Sequence, residues 1–216
     1  MRIQKSQLSA QAYDEEVYKV PRHWATNILK KAGVSVEISG VEHLPIGPVL
    51  FISNHEGNFD IPVLIAHVPK PFGFLSKVEV KKIPFISDWM EEMNCVFIDR
   101  TNRKNALQSI HDSVERLQQG HSLLLFPEGT RSKGNGVQPF KSGFIRIAER
   151  ANVPIVPIAI YGTSHIMEQN NNHIVPAHVK IQLLPYVELS QQPSEWLLAD
   201  IQNQIEQAVA QLKGDL

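Results

Sequence analysis

The sequence has a single cysteine, Cys95, and no long run of apolar residues. One cysteine cannot form an internal disulfide, so a reducing compartment such as the cytoplasm is the simplest expectation. No stretch approaches the roughly 18 consecutive apolar residues that a membrane-spanning helix needs, so we expect any membrane contact to be peripheral. The first twenty residues include acidic ones and no apolar core, which is unlike a secretory signal peptide.

An excess of charge of either sign is also lacking. The formal net charge is −1 over 216 residues, which argues against a nucleic-acid-binding protein whose whole surface is basic. The G-x-S-x-G motif of serine hydrolases is absent from the sequence. The nine histidines show no tight metal-ligand spacing, so we expect no metal site.

Apolar stretches alternate with amphipathic ones from Gly33 onward. The patterns predict strands at residues 34–38, 48–53, 72–76, 95–98, 122–126, 154–161 and 179–184. They predict helices at residues 61–68, 103–119 and 142–150, and a C-terminal helix whose apolar residues run from 197 to 212. Because the strand centres are continuously apolar, we predict an α/β fold with a mostly parallel central sheet flanked by helices.

A short amphipathic segment precedes these elements. Tyr13 and Trp24 belong to a stripe of apolar residues at helical spacing, and Pro21 interrupts it, so we predict two short helices. We divide the chain into this N-terminal helical segment, 1–32, and one domain, 33–216. Two interpretations of the segment are open: a helix that lies in a bilayer interface, or a helix that covers the domain's own core.

The first polar block, SNHEGNFD at residues 53–60, comes where a predicted strand ends and a helix begins. Ligand sites of open α/β sheets cluster at such strand ends. The five-residue spacing lets the Asp60 carboxylate reach Nδ1 of His55, and this contact would orient the imidazole as a general base. Read alone, the two residues are more often a satisfied surface pair.

The second polar block, FPEGTRS at residues 126–132, follows another buried strand. Pro127 and Gly129 predict a tight turn that exposes backbone amides. The planar guanidinium group of Arg131 suits a phosphate. The alternative is a plain polar turn in which Arg131 pairs with Glu128.

Two shorter patterns complete the set. Asp99 and Arg100 follow the strand at residues 95–98, where the simpler reading is a solvated ion pair of small energetic value. VPIVP at residues 153–157 is an apolar strand with flanking prolines, a structural feature that could line an apolar channel.

In this order and spacing, the four blocks resemble the PlsC-type glycerolipid acyltransferases, the 1-acylglycerol-3-phosphate acyltransferase family. The matching motifs are H-x4-D at 55–60, an F-x-D-R-like block at 97–100, F-P-E-G-T-R-S at 126–132 and V-P-I-V-P at 153–157. The family commonly has serine two residues after the histidine, whereas this chain has Gly57. Since several independent motifs coincide, the catalytic reading of the first block becomes the preferred one.

The resemblance implies transfer of a fatty acyl group from acyl-CoA or acyl-carrier protein to a lysophospholipid hydroxyl, with 1-acylglycerol 3-phosphate as the first candidate acceptor. His55 would deprotonate that hydroxyl and Asp60 would orient His55. The residues that would bind the glycerol phosphate are Glu128, Gly129, Thr130, Arg131, Arg100 and Lys77. A thioester is already activated, so no cofactor or metal is expected.

The family likeness also implies work at the cytoplasmic face of a membrane, with no nucleic-acid partner. Two alternatives stay open. One is an acyltransferase with another acceptor, such as glycerol 3-phosphate or a different lysolipid. The other is a lipid-binding protein that keeps the fold without turnover.

Overall fold

A computed structural model describes residues 8–82, 86–99, 102–189 and 193–214. Its helices are α1 (Ala10–Ala32), α2 (Asp60–His67), α3 (Ile86–Glu92), α4 (Arg103–Gln118), α5 (Gly143–Ala151) and α6 (Ser194–Gly214). Its strands are β1 (Ser35–Ser39), β2 (Leu50–Ser53), β3 (Gly73–Lys77), β4 (Val96–Ile98), β5 (Leu123–Leu125), β6 (Ile155–Tyr161) and β7 (His178–Leu183). Short 3₁₀ helices cover Val41–His43, Val78–Lys82 and Thr163–His165.

The described strands form one sheet in the order β1-β7-β6-β2-β5-β3-β4. Every neighbouring pair is parallel except β6 and β7. The prediction of an α/β fold with a mostly parallel sheet flanked by helices is therefore confirmed.

Apolar residues cover both faces of the sheet. Phe51 of β2 belongs to a buried cluster with residues of α1 and α2, whereas its neighbours Leu50 and Ile52 belong to a second cluster with residues of α4, α5 and α6. Successive side chains of a strand point to opposite faces, so a strand covered on both faces must be apolar throughout. This explains why the first three residues of β2, Leu50 to Ile52, are all hydrophobic.

The N-terminal segment forms one continuous helix, so the prediction of two short helices was wrong. α1 contains Pro21, which is buried. A proline removes one intrahelical hydrogen bond, but here the helix is supported by packing against α2 and the sheet. Next to the proline, Arg22 donates to the carbonyl oxygen of Val68 at 2.9 Å. In the part of the chain that the structure describes, no helix combines the length and the apolar character needed to cross a bilayer.

The sheet order brings three loops together. β2 pairs with β5 on one side and with β6 on the other, and all three are parallel. Their carboxyl ends therefore lie at the same edge of the sheet. The loops that leave this edge begin at Asn54, Phe126 and Gly162, and they carry the candidate site.

Candidate active site

The side chain of Asn54 fixes the loop after β2 to β6, with two hydrogen bonds to the backbone of one residue, as a neighbouring strand would make. Asn54 is buried, and its Oδ1 accepts from the backbone N–H of Ile160 at 2.9 Å. Its Nδ2 donates to the carbonyl oxygen of Ile160, also at 2.9 Å. The next residue, His55, thus leaves the sheet in a defined direction.

The His55 ring is oriented from several sides. Its Nδ1 lies 2.6 Å from Oδ2 of Asp60, the contact that the sequence spacing allows. Its face stacks on Phe126, with ring centroids 3.9 Å apart and planes inclined by 12°. Among the residues that the structure describes, Nε2 has no hydrogen-bond partner, and the side chain is 18% exposed. That nitrogen is free to accept a proton from a ligand hydroxyl, although the catalytic role itself stays a prediction.

Asp60 is the first residue of α2 and is completely buried. Besides His55, its Oδ2 accepts from the backbone N–H of Gly57 at 3.1 Å. Its other oxygen, Oδ1, accepts from the hydroxyl of Thr163, which lies just after β6. An ionised carboxylate without solvent needs such donors.

Two further carboxyl groups lie beside the pair. Burial, and after it the negative charge of Asp60, raises the pKa of Glu56 from 4.5 to about 7. Burial likewise raises the pKa of Glu128 to about 7, although hydrogen bonds from the backbone N–H groups of His55 and Gln138 oppose the effect. Near neutral pH, the cluster therefore carries less negative charge than three ionised carboxylates would.

Glu128 faces the protein backbone. Its Oε1 accepts from the backbone N–H of His55 at 2.7 Å, and its Oε2 accepts from that of Gln138 at 3.1 Å. Glu128 is 4% exposed, and in this structure it orients the loop at residues 54–59, called the histidine loop below. The contact between Glu128 and the substrate, which the family resemblance implies, stays a prediction.

The turn at 126–132 is joined to the histidine loop through the backbone. The N–H of Ser132 donates to the carbonyl oxygen of His55 at 2.8 Å. Within the turn, Gly129 has φ +75°, a conformation that glycine adopts without strain. Thr130 is exposed at the tip of the turn. The structure thus brings the two predicted loops together.

Arg131 pairs with a residue that the sequence did not indicate. Its Nη1 donates to Oδ1 of Asn58 and, at 3.3 Å, to Oε1 of Glu168. Its partner is therefore Glu168, and the alternative pairing with Glu128 is not observed. Among the described residues, Nε and Nη2 of Arg131 have no hydrogen-bond partner, so one edge of the guanidinium group is open to an anion.

Glu168 also explains the glycine in the first block. The side chain is 3% exposed, and among the described residues its Oε2 has no hydrogen-bond partner. A Cβ atom added to Gly57 would lie 2.5 Å from this oxygen. A serine at this position therefore requires Glu168 to move, whereas glycine leaves room for its carboxylate.

Of the two remaining predicted site residues, Lys77 lies at the same edge of the sheet. Lys77 is the last residue of β3 and is exposed. Arg100 lies outside the described residues; its neighbour Asp99 accepts from Nδ2 of Asn105 at 2.9 Å. The binding roles of Lys77 and Arg100 stay predictions.

The sequence motifs did not indicate that the loop after β6 belongs to the site. Thr163, Ser164 and Glu168 all contact the histidine loop or the residues beside it. One signal was available: this polar stretch directly follows an apolar strand, as the two recognised blocks do.

A possible cation site lies elsewhere on the surface. Among the described residues, one ligand atom each from His111, Asp112 and Glu115 of α4 lies within 4.8 Å of the others. Such exposed groups on a helix are common without an ion, and none of them belongs to the three loops described above.

Residues 35–161 match the family model described as Acyltransferase. The 1-acyl-sn-glycerol-3-phosphate acyltransferase of Escherichia coli K12 is 32% identical over 174 residues, covering 79% of this chain and 70% of the relative. The probable 1-acyl-sn-glycerol-3-phosphate acyltransferase of Mycoplasma pneumoniae is 37% identical over 141 residues, covering 63% of this chain and 53% of the relative. The chain thus spans about half the length of that relative and of one from Brassica napus, of which it covers 50%.

A solved structure shows the same fold. The crystal structure of the 1-acyl-sn-glycerophosphate (LPA) acyltransferase PlsC from Thermotoga maritima superposes with a TM-score of 0.83 at 26% identity, covering 93% of this chain and 81% of that one. The family-model match, the curated relatives and this superposition agree with the motifs gathered at the sheet edge. The chain belongs to the family of PlsC-type acyltransferases.

Proposed function

We propose that the protein transfers a fatty acyl group from a thioester donor, acyl-CoA or acyl-carrier protein, to the hydroxyl of a lysophospholipid. The proposed acceptor is 1-acylglycerol 3-phosphate and the product is phosphatidic acid. The observation that carries this proposal is the contact of 2.6 Å between His55 Nδ1 and Asp60 Oδ2. The backbone of His55 is hydrogen-bonded to the turn that contains Arg131. A base next to an anion site fits an acceptor that has both a hydroxyl and a phosphate.

In the proposed mechanism, His55 Nε2 takes the proton of the acceptor hydroxyl. The oxygen attacks the thioester carbonyl carbon, and a tetrahedral intermediate forms. When the carbon–sulfur bond breaks, the imidazolium returns its proton to the sulfur, and a thiol leaves. Asp60 stabilises the imidazolium through Nδ1 and keeps the ring in the required tautomer.

Replacing His55 by alanine tests the base. We expect thiol release from acyl-CoA in the presence of 1-acylglycerol 3-phosphate to fall by ~10²–10⁴-fold, the usual contribution of a general base. His111→Ala, at an exposed position of α4, is the control and should keep wild-type activity. Undiminished turnover in the His55 variant would disprove the mechanism.

Replacing Arg131 by alanine tests the phosphate contact. A hydrogen bond to a charged group typically contributes enough to raise the acceptor KM by ~10-fold or more, with kcat less affected. The matched control is Arg150→Ala, at the exposed end of α5. An acceptor KM equal to that of the wild type would remove Arg131 from the site.

We also propose that α1 contacts a membrane surface. Val20 and Trp24 are four residues apart on one side of the helix and are 51% and 47% exposed, with Lys30 and Lys31 in its last turn. An apolar side with adjacent basic residues suits an anionic bilayer interface. Because the sole cysteine fits a reducing compartment, the proposed location is the cytoplasmic face of that membrane.

Flotation with vesicles of phosphatidylcholine and phosphatidylglycerol tests the membrane contact. Trp24→Glu should remain in the dense fraction, whereas the wild type should float. Trp196→Glu is the control, because Trp196 is equally exposed but belongs to α6, on the other face of the sheet. If the Trp24 variant floats like the wild type, this surface is not the contact.

A further inference from the structure

The 3₁₀ turn after β6 reaches the buried side of the histidine loop. Thr163 is the first residue of this turn and is completely buried. Its hydroxyl donates to Oδ1 of Asp60, whereas His55 Nδ1 and the N–H of Gly57 contact Oδ2. The two oxygens of Asp60 therefore have different functions: one contacts the imidazole and the other contacts Thr163.

The Thr163 hydroxyl matters because Asp60 has few other sources of stabilisation. No lysine or arginine among the described residues forms an ion pair with Asp60, and its residue exposure is 0%. The charge of a buried carboxylate must then be stabilised by hydrogen-bond donors. Thr163 is the donor to Oδ1, so it also restricts rotation of the carboxylate about its terminal bond.

A second acceptor lies within reach of the same hydroxyl. Oε2 of Glu56 is 3.3 Å from Oγ1 of Thr163, but it has donors of its own in the backbone N–H groups of Gly162 at 2.9 Å and Ser164 at 3.4 Å. One hydroxyl has one proton to donate. Because Glu56 is supplied by the backbone and Asp60 Oδ1 is not, the proton is directed to Asp60.

We propose that Thr163 is a positioning residue of the His55–Asp60 pair. It fixes the carboxylate so that Oδ2 faces Nδ1, and it does so without contacting substrate. The inference rests on the proposed function, since the pair it positions is the proposed base and its orienting acid.

Two substitutions separate the hydroxyl from the shape of the side chain. Thr163→Val keeps the branched shape and removes the donor, so we expect kcat to fall by ~10–100-fold with the acceptor KM changed less than about twofold. Thr163→Ser keeps the donor and should restore kcat to within about threefold of the wild type. Thr26→Val, at an exposed position of α1, is the control and should leave kcat unchanged.

A measurement that needs no turnover distinguishes this inference from the proposed function. The proton on His55 Nδ1 that bonds to a carboxylate gives a downfield NMR signal, which we expect to weaken or move upfield in Thr163→Val and to persist in Thr163→Ser. If the wild type releases no thiol but the signal responds in this way, the proposed function fails and the positioning role stands. A folded Thr163→Val variant with the wild-type signal, or with wild-type kcat in an active enzyme, would overturn the positioning role.

Discussion

Replacing Glu56 by glutamine is expected to stabilise the fold more at pH 8 than at pH 5. The pKa of Glu56 is about 7 in the folded protein, against an ordinary value of 4.5. Between these two values, the folded chain keeps a proton that the unfolded chain has released. The free energy of unfolding therefore falls as the pH rises from 4.5 to 7, and the whole loss is present above pH 7. Glutamine is neutral throughout, so the variant has no such loss.

The size of the effect follows from the pKa difference. A rise from 4.5 to about 7 at Glu56 corresponds to about 3 kcal/mol at 1.36 kcal/mol per pKa unit. Because Glu128 and Asp60 share in the same electrostatic cluster, we take about 1–3 kcal/mol as the range for Glu56 alone. For a protein of this size, that range corresponds to a change in Tm of roughly 2–10 °C.

The assay is thermal unfolding followed by circular dichroism at pH 5, 6, 7 and 8. The quantity of interest is the Tm of Glu56→Gln minus that of the wild type, because pH effects of all other groups largely cancel in this difference. Glu115→Gln, at an exposed position of α4, controls for the simple loss of a negative charge. A Tm difference that stays constant from pH 5 to pH 8 would refute the argument from burial.

Two other substitutions test the packing of the same loops. Gly57→Ala should lower both Tm and activity, since its Cβ would lie 2.5 Å from Oε2 of Glu168, whereas Gly143→Ala, with no atom nearby, should lower neither. Equal Tm values for the two alanine variants would show that the carboxylate moves aside at no cost. Asn54→Ala should lower the free energy of unfolding by about 2–3 kcal/mol, because both backbone groups of Ile160 lose a buried partner. A chemical-denaturation midpoint unchanged from that of the wild type would contradict this expectation.

The sequence revealed those parts of the site whose residues are close together along the chain. His55 and Asp60 are five residues apart, and the FPEGTRS turn is continuous, so their local geometry follows from strand ends and turn residues. Thr163 is 103 residues from Asp60, and no spacing rule connects the two. Its contact depends on β6 pairing with β2, and strand order is not encoded in hydrophobic periodicity.

Tertiary packing also explains the error in α1. Local propensity places a break at Pro21, since proline lacks the N–H that a helix interior needs. In the structure, buried Tyr18 and Leu29, one on each side of the proline, pack into the same apolar cluster. Burial of such side chains stabilises by about 1.5–3 kcal/mol each, which is comparable to the cost of the proline. The local sequence pattern around Pro21 does not include this stabilisation by burial.

The central position of β2 in the sheet has a consequence for synthesis of the protein. β2 (Leu50–Ser53) is translated before both of its neighbours, β5 (Leu123–Leu125) and β6 (Ile155–Tyr161). At roughly 5–20 residues per second, several seconds pass before β5 leaves the ribosome. During that time a strand that is apolar except for Ser53 has two unpaired edges, a condition that favours aggregation. We therefore expect the nascent chain to be prone to aggregation until both β5 and β6 have been translated.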